Sequence, residues 1–172
     1  MNKKLLKTWA EVSQGCGRNN LPWCLSENLD KLSQSEIAKG LADAWTMCEF
    51  PNMRGTNSAW EIMFLLGLPN KEGFIDDNGK VHKTEELPEV LTLYRGAHID
   101  HKEGMSWTTN LKTAQWFATR LGMEDTKVYT ITIPREHILA KFDGRNEEEY
   151  VVNMNELFED DVQELELADA DN

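Results

Sequence analysis

The hydrophobic pattern of this 172-residue chain changes period near Val90, and that change limits the folds open to it. Up to about residue 68 the apolar residues recur at helical spacing. Ser33 and Glu36 form an S-x-x-E capping box ahead of Ile37, Leu41, Trp45 and Cys48, which lie near one helical stripe. Ser58 and Glu61 repeat the signal ahead of Ile62, Phe64, Leu65 and Leu66, and Gly67 and Pro69 then stop the helix. From Val90 onward the spacing is that of strands. Leu91-Thr92-Leu93-Tyr94 alternates, Gly104 to Thr108 suits a second strand, and Lys127 to Ile133 places Tyr129, Ile131 and Ile133 on one side. Ile138 to Phe142 and Tyr150 to Asn153 read as further short strands. Val162, Leu165 and Leu167 suit a last edge strand. One helix interrupts them, capped by Thr109 or Asn110, with Ala114, Phe117, Ala118 and Leu121 on one face and Gly122 as its stop.

Between the two regimes, residues 69 to 90 hold Pro69, Gly73, Asn78-Gly79 and Pro88, a linker or loosely hairpinned loop. The expected organisation is a helical region and linker over 1–89, a β core over 90–168 and an acidic tail over 169–172. Six tryptophans and 40% apolar residues are enough to bury a core. No apolar run approaches the roughly 18 residues of a membrane helix, and the basic Met1–Lys7 segment lacks the apolar stretch of a secretory signal. The three cysteines, 16, 24 and 48, cannot all pair with one another and show no zinc spacing. Reduced thiols and a cytoplasmic setting are expected. A formal charge of −12 repels phosphate backbones, so nucleic acid is a poor partner and basic protein surfaces are better matches.

Three stretches carry the chemistry. In Leu93-Tyr94-Arg95-Gly96 an arginine ends a strand, where its guanidinium can fork onto a diphosphate; Gly96 lets a ligand approach the backbone. Ser106-Trp107-Thr108-Thr109 offers hydroxyls on a strand leading into a helix, able to orient a carboxylate because a hydroxyl both donates and accepts. Glu147-Glu148-Glu149 precedes Tyr150-Val151-Val152; in an extended segment Glu147 and Glu149 share a face. One such carboxylate can stabilise an oxocarbenium ion at a sugar C1′, and a second can take a proton from the nucleophile. Trp107, Trp116 and Phe117 supply aromatic faces for a nicotinamide or adenine ring. Taken singly, each pattern also describes a solvated turn, a threonine-rich strand or ordinary core. His82, His98, His101 and His137 lack metal-ligand spacing.

Taken in order, the three stretches resemble the mono-ADP-ribosyltransferase family of the Arg–Ser–Glu type, over residues 90 to 155. Tyr94-Arg95-Gly96 looks like the family's strand-ending arginine. Ser106-Trp107-Thr108-Thr109 looks like its Ser-Thr-Ser strand, aligned either as Ser106-Trp107-Thr108 or as Trp107-Thr108-Thr109. Glu147-Glu148-Glu149 looks like its Glu-x-Glu element. The resemblance implies an α+β fold: a split core of two small, mainly antiparallel sheets, an N-terminal helical region, and a cleft for NAD without metal. It implies that Arg95 binds the phosphates or nicotinamide-side ribose and that the Gly96 backbone bonds the nicotinamide amide. Ser106 or Thr108 positions Glu149, the catalytic glutamate, and Glu147 activates the acceptor, an arginine of a target protein being the first expectation. Water as acceptor, making an NAD glycohydrolase, and a non-catalytic acidic binder or inhibitor that keeps the fold are the competing expectations. A small acidic protein of this kind suits a bacterial or bacteriophage effector.

Overall fold

Four helices open the fold: α1 (Trp9–Ser13), α2 (Leu21–Asn28), α3 (Gln34–Met47) and α4 (Asn57–Gly67). The computed structural model describes residues 5–51 and 54–166; Leu167, Ala168 and the expected tail 169–172 lie outside that range. Ser33 caps α3 by accepting from the Glu36 backbone N–H. The Glu36 carboxylate does not complete a capping box but accepts from the Trp9 backbone N–H at 2.7 Å, which fastens α1 to α3. The Trp9 indole adds a bond to Asp43 at 2.7 Å. At α4 the cap is Thr56, which accepts from Ala59 N–H, and not Ser58. The expected partner, Glu61, is taken by the side-chain amides of Asn153 and Asn155.

Cys16 and Cys24 form a disulfide, and Cys48 is a buried free thiol. This corrects the expectation of three reduced cysteines. The 3-10 turn Arg18–Asn20 folds the intervening chain back onto α2 and brings the two sulfurs together. The pairing also withdraws the inference from free thiols to a reducing compartment. Among the described residues no helix is long and apolar enough to cross a membrane.

The remainder builds one sheet. Its strands are β1 (Phe74–Ile75), β2 (Val81–His82), β3 (Val90–His98), β4 (Ser106–Thr108), β5 (Thr126–Pro134), β6 (Ile138–Phe142), β7 (Glu149–Val152) and β8 (Gln163–Glu164). The order is β2-β1-β6-β7-β4-β3-β5-β8, antiparallel throughout except where Ile75 of β1 pairs with Ala140 of β6. The α+β class holds, but a single eight-stranded sheet replaces the expected pair of small sheets. The reason is β4, which pairs along one edge with β7 and along the other, at Thr108 opposite Tyr94, with β3. Three residues of strand thus join what alternation alone divides into two ladders. The turn at Asn78-Gly79 makes the β1–β2 hairpin, so residues 74–82 sit on the same sheet as the later strands.

The main core lies between the helices and the sheet. Trp45 of α3 meets Trp60 of α4 edge-on at 4.9 Å and Phe64 at 5.8 Å. Leu93, Trp107, Ile131 and Val151 are buried with them. The last helix, α5 (Leu111–Thr119), is capped by Asn110, which accepts from the N–H groups of Lys112 and Thr113. Its Ala114 and Ala118 form a second apolar cluster with Val128. Gly96 makes that approach possible: a Cβ there would overlap the Ala114 carbonyl oxygen and lie 2.6 Å from Ala118 N.

Candidate active site

Strand register assembles the centre of the site. Tyr94, Thr108, Glu149 and Phe142 stand directly opposite one another on β3, β4, β7 and β6, a single row across four strands. Beside this row opens a cleft of about 740 Å³, lined among others by Arg95, Gly96, Ser106, Thr108, Phe117, Glu147 and Glu149. That volume lies in the usual range for small-molecule sites, about 300–1,000 Å³.

Each hydroxyl of the Ser106–Thr109 segment grips a different member of the glutamate run. Ser106 Oγ donates to Glu149 Oε2. Thr108 Oγ1 donates to the Glu147 carbonyl at 2.8 Å, and Thr109 Oγ1 to Glu148 Oε2 at 2.9 Å. Of the two alternatives for the orienting hydroxyl, Ser106 is the one that reaches Glu149. The shared face expected for Glu147 and Glu149 does not arise from strand alternation. Glu148 is left-handed (φ 46°) and β7 begins only at Glu149, so Glu147 belongs to the preceding turn. Both carboxylates still line the cleft. A non-glycine residue at positive φ stores local strain, a feature that gathers at functional sites.

Glu149 has a second donor. The indole Nε1–H of Trp45 reaches its Oε2 at 3.1 Å, across 104 residues of sequence. Both protein donors therefore converge on Oε2, while Oε1 receives no hydrogen bond from the described residues. Burial raises the Glu149 carboxyl above the ordinary glutamate value; the bonds from Ser106 and then Trp45 oppose that rise, and Glu147 adds to it.

Arg95 is held from behind. Its Nε donates to the His101 carbonyl at 3.1 Å and its Nη1 to the Ser106 carbonyl at 2.9 Å. The guanidinium lies over Gly104, where a Cβ would collide with it. Burial pushes Arg95 down to about 10, with Glu149 drawing it back up, so it remains cationic at neutral pH. Two backbone carbonyls take only part of its five N–H donors.

The other expected residues divide. Phe117 lines the cleft, and the Gly96 backbone borders it. Trp107 also borders the cleft, but it is buried in the main core with its indole donating to the Gly104 carbonyl, which leaves its ring little face for ligand stacking. Its neighbours Ser106 and Thr108 point the opposite way because side chains alternate along a strand. Trp116 stands exposed against Phe117, outside the cleft lining, and so does Thr109.

The cleft also holds residues that the sequence reading passed over: Trp45, Arg18, Arg120 and Arg145. Arg18 is paired with Glu49 and Arg145 donates to the Thr46 carbonyl. Arg120 lies over the rings of Phe117 (4.8 Å) and Trp116 (5.3 Å). The three- and four-residue spacing from Phe117 and Trp116 to Arg120, the residue that caps the end of α5, was a readable signal; Trp45 carried none. Among the described residues no group of three His, Cys, Asp or Glu is placed to hold a metal ion. Comparison with protein-family models, with curated proteins and with solved structures found no match to this chain.

Proposed function

We propose that this protein binds NAD in the cleft and transfers its ADP-ribose to a protein side chain, arginine being the first acceptor to test. One observation carries the reading: a carboxylate anchored twice through Oε2, with no hydrogen bond to Oε1 from the described residues, in a cleft that also holds Arg95. The donor set suits the dinucleotide. The spare N–H groups of Arg95 and the guanidinium of Arg120 suit its phosphates, and the Phe117 ring suits a flat heterocycle. Glu149 Oε1 is available to a ribose hydroxyl and to the positive charge that develops at C1′. As the C1′–nitrogen bond breaks, nicotinamide departs with the bonding pair. The acceptor nitrogen then bonds to C1′, and its proton passes to Glu147.

Incubation of the protein with NAD labelled on the adenylate side, together with a cell lysate, tests the reading. The expected result is labelled protein, with the modified side chain found by mass spectrometry. Nicotinamide release without labelled protein would assign water as the acceptor. Neither product from the folded wild-type chain would leave the acidic binder as the better account.

The pH profile has a definite sign. Glu149 works as the anion, and burial holds its carboxyl above the ordinary value of 4.5. The acid limb of kcat/KM should therefore lie above the titration of an ordinary glutamate. Ser106→Ala deletes a donor that favours the anion, so the limb should move further up in pH. Rate at the plateau should fall about 10–100-fold, the scale of one hydrogen bond to a charged group. An unmoved limb in this variant would contradict the assignment of Ser106 to Glu149.

A further inference from the structure

Among the described residues, the helical region reaches the Glu149 carboxylate through one hydrogen bond. Trp45 comes from the last turn of α3 and is almost fully buried. Trp60 and Phe64 brace its ring edge-on, and the Trp60 indole is itself fixed to the Pro51 carbonyl at 2.9 Å. A ring so confined has little rotamer freedom, and its single polar atom points at Glu149 Oε2. Ser106 approaches the same oxygen from β4. A carboxylate fixed by one donor can still pivot about that bond; a second donor, from an independent element, removes the pivot.

We infer that Trp45 is a positioning residue: its indole N–H, with the Ser106 hydroxyl, locks Glu149 so that Oε2 is spent on the protein and Oε1 is presented to the ligand. The helical region is thereby part of the site and not only a cover for the sheet. The role in turnover rests on the NAD-cleaving reading, whereas the locking of the carboxylate does not.

Charged groups near Glu149 come from several elements. Arg95 stands on β3, and Glu147 and Arg145 in the turn before β7. Arg18 and Glu49 from the helical region, Asp77 from the β1–β2 turn and Arg120 after α5 line the same cleft. The Cys48 thiol, also on the wall, is pushed up by burial. Trp45→Phe changes none of these charges and keeps an aromatic ring against Trp60 and Phe64.

The test compares wild type, Trp45→Phe and Trp9→Phe. Trp9 is the control because its indole also donates to a carboxylate, Asp43, outside the cleft. Carbon-13 NMR of glutamate-labelled protein, without ligand, should show Glu149 titrating at higher pH in Trp45→Phe than in wild type, and unchanged in Trp9→Phe. Nicotinamide release should fall about 10–100-fold in kcat for Trp45→Phe with KM for NAD within about twofold, since the lost bond is to a charged group that aligns chemistry more than binding. Thermal melts establish that each variant is folded. An unmoved Glu149 titration in folded Trp45→Phe overturns the inference whatever the activity, as does full kcat. A shifted titration in a protein that does not cleave NAD supports the locking of the carboxylate and refutes the proposed reaction, so the two failures stay distinct.

Discussion

Replacing Glu149 by glutamine should abolish nicotinamide release under the proposed reaction, lowering kcat/KM by roughly 10³-fold or more. The substitution keeps the size of the side chain, and its amide oxygen can still accept from Ser106 and Trp45. What it removes is the negative charge that the proposed reaction sets against C1′. That charge stabilises the transition state far more than the ground state, so the loss should appear in kcat, with KM for NAD changing little. Stability should hold or rise, because the native carboxylate is held in a buried place that opposes its ionisation. Initial rates of nicotinamide release, with a melt of the same sample, decide the matter. A glutamine variant that retains activity would exclude Glu149 as the reacting carboxylate.

Gly96→Ala is the substitution expected to damage the fold most, by about 3 kcal/mol or more. The new methyl would overlap the Ala114 carbonyl oxygen and lie 2.6 Å from Ala118 N, both backbone atoms of α5. No side-chain rotation relieves such a contact; α5 must lift away from β3. Lifting it opens the cluster of Ala114, Ala118 and Val128 and carries Phe117 and Arg120 from the cleft wall. Denaturant unfolding of the two proteins measures the difference. A stability within 1 kcal/mol of wild type would mean that α5 does not pack on Gly96 as described. The resemblance assigned Gly96 to ligand contact, and the packing gives the same glycine a separate and larger reason to be there.

Local order was readable where one physical rule dominated. Alternation located β3 and β5, and the stripe Ile37-Leu41-Trp45-Cys48 located α3, because burial on one side leaves its period in the residues. Asn110 located the start of α5 through capping chemistry that acts within a few residues, whereas the helix ends at Thr119, short of the expected stop at Gly122, and leaves Leu121 exposed. The site motifs on β3, β4 and β7 were visible for the same reason, each being local. What escaped depended on partners distant in sequence. Ser58 and Glu61 look like a cap, but Glu61 is claimed by two asparagines more than 90 residues away. Joining two ladders into one sheet depends on both edges of three-residue β4. The Cys16–Cys24 bond needs the turn that folds Arg18–Asn20 back. Alternation failed at Glu148 because a left-handed residue breaks the period just ahead of β7. Trp45 could not be singled out because an indole bound for the core and one aimed at a carboxylate look alike until α3 has docked.

The place of β7 in the sheet bears on how the molecule comes into being. It follows both of its neighbours, β6 and β4, along the chain, yet it must slot between them. Until it does, the donors of Trp45 and Ser106 have nothing to hold. The grip on the Glu149 carboxylate is thus completed only when this central strand is threaded between its neighbours.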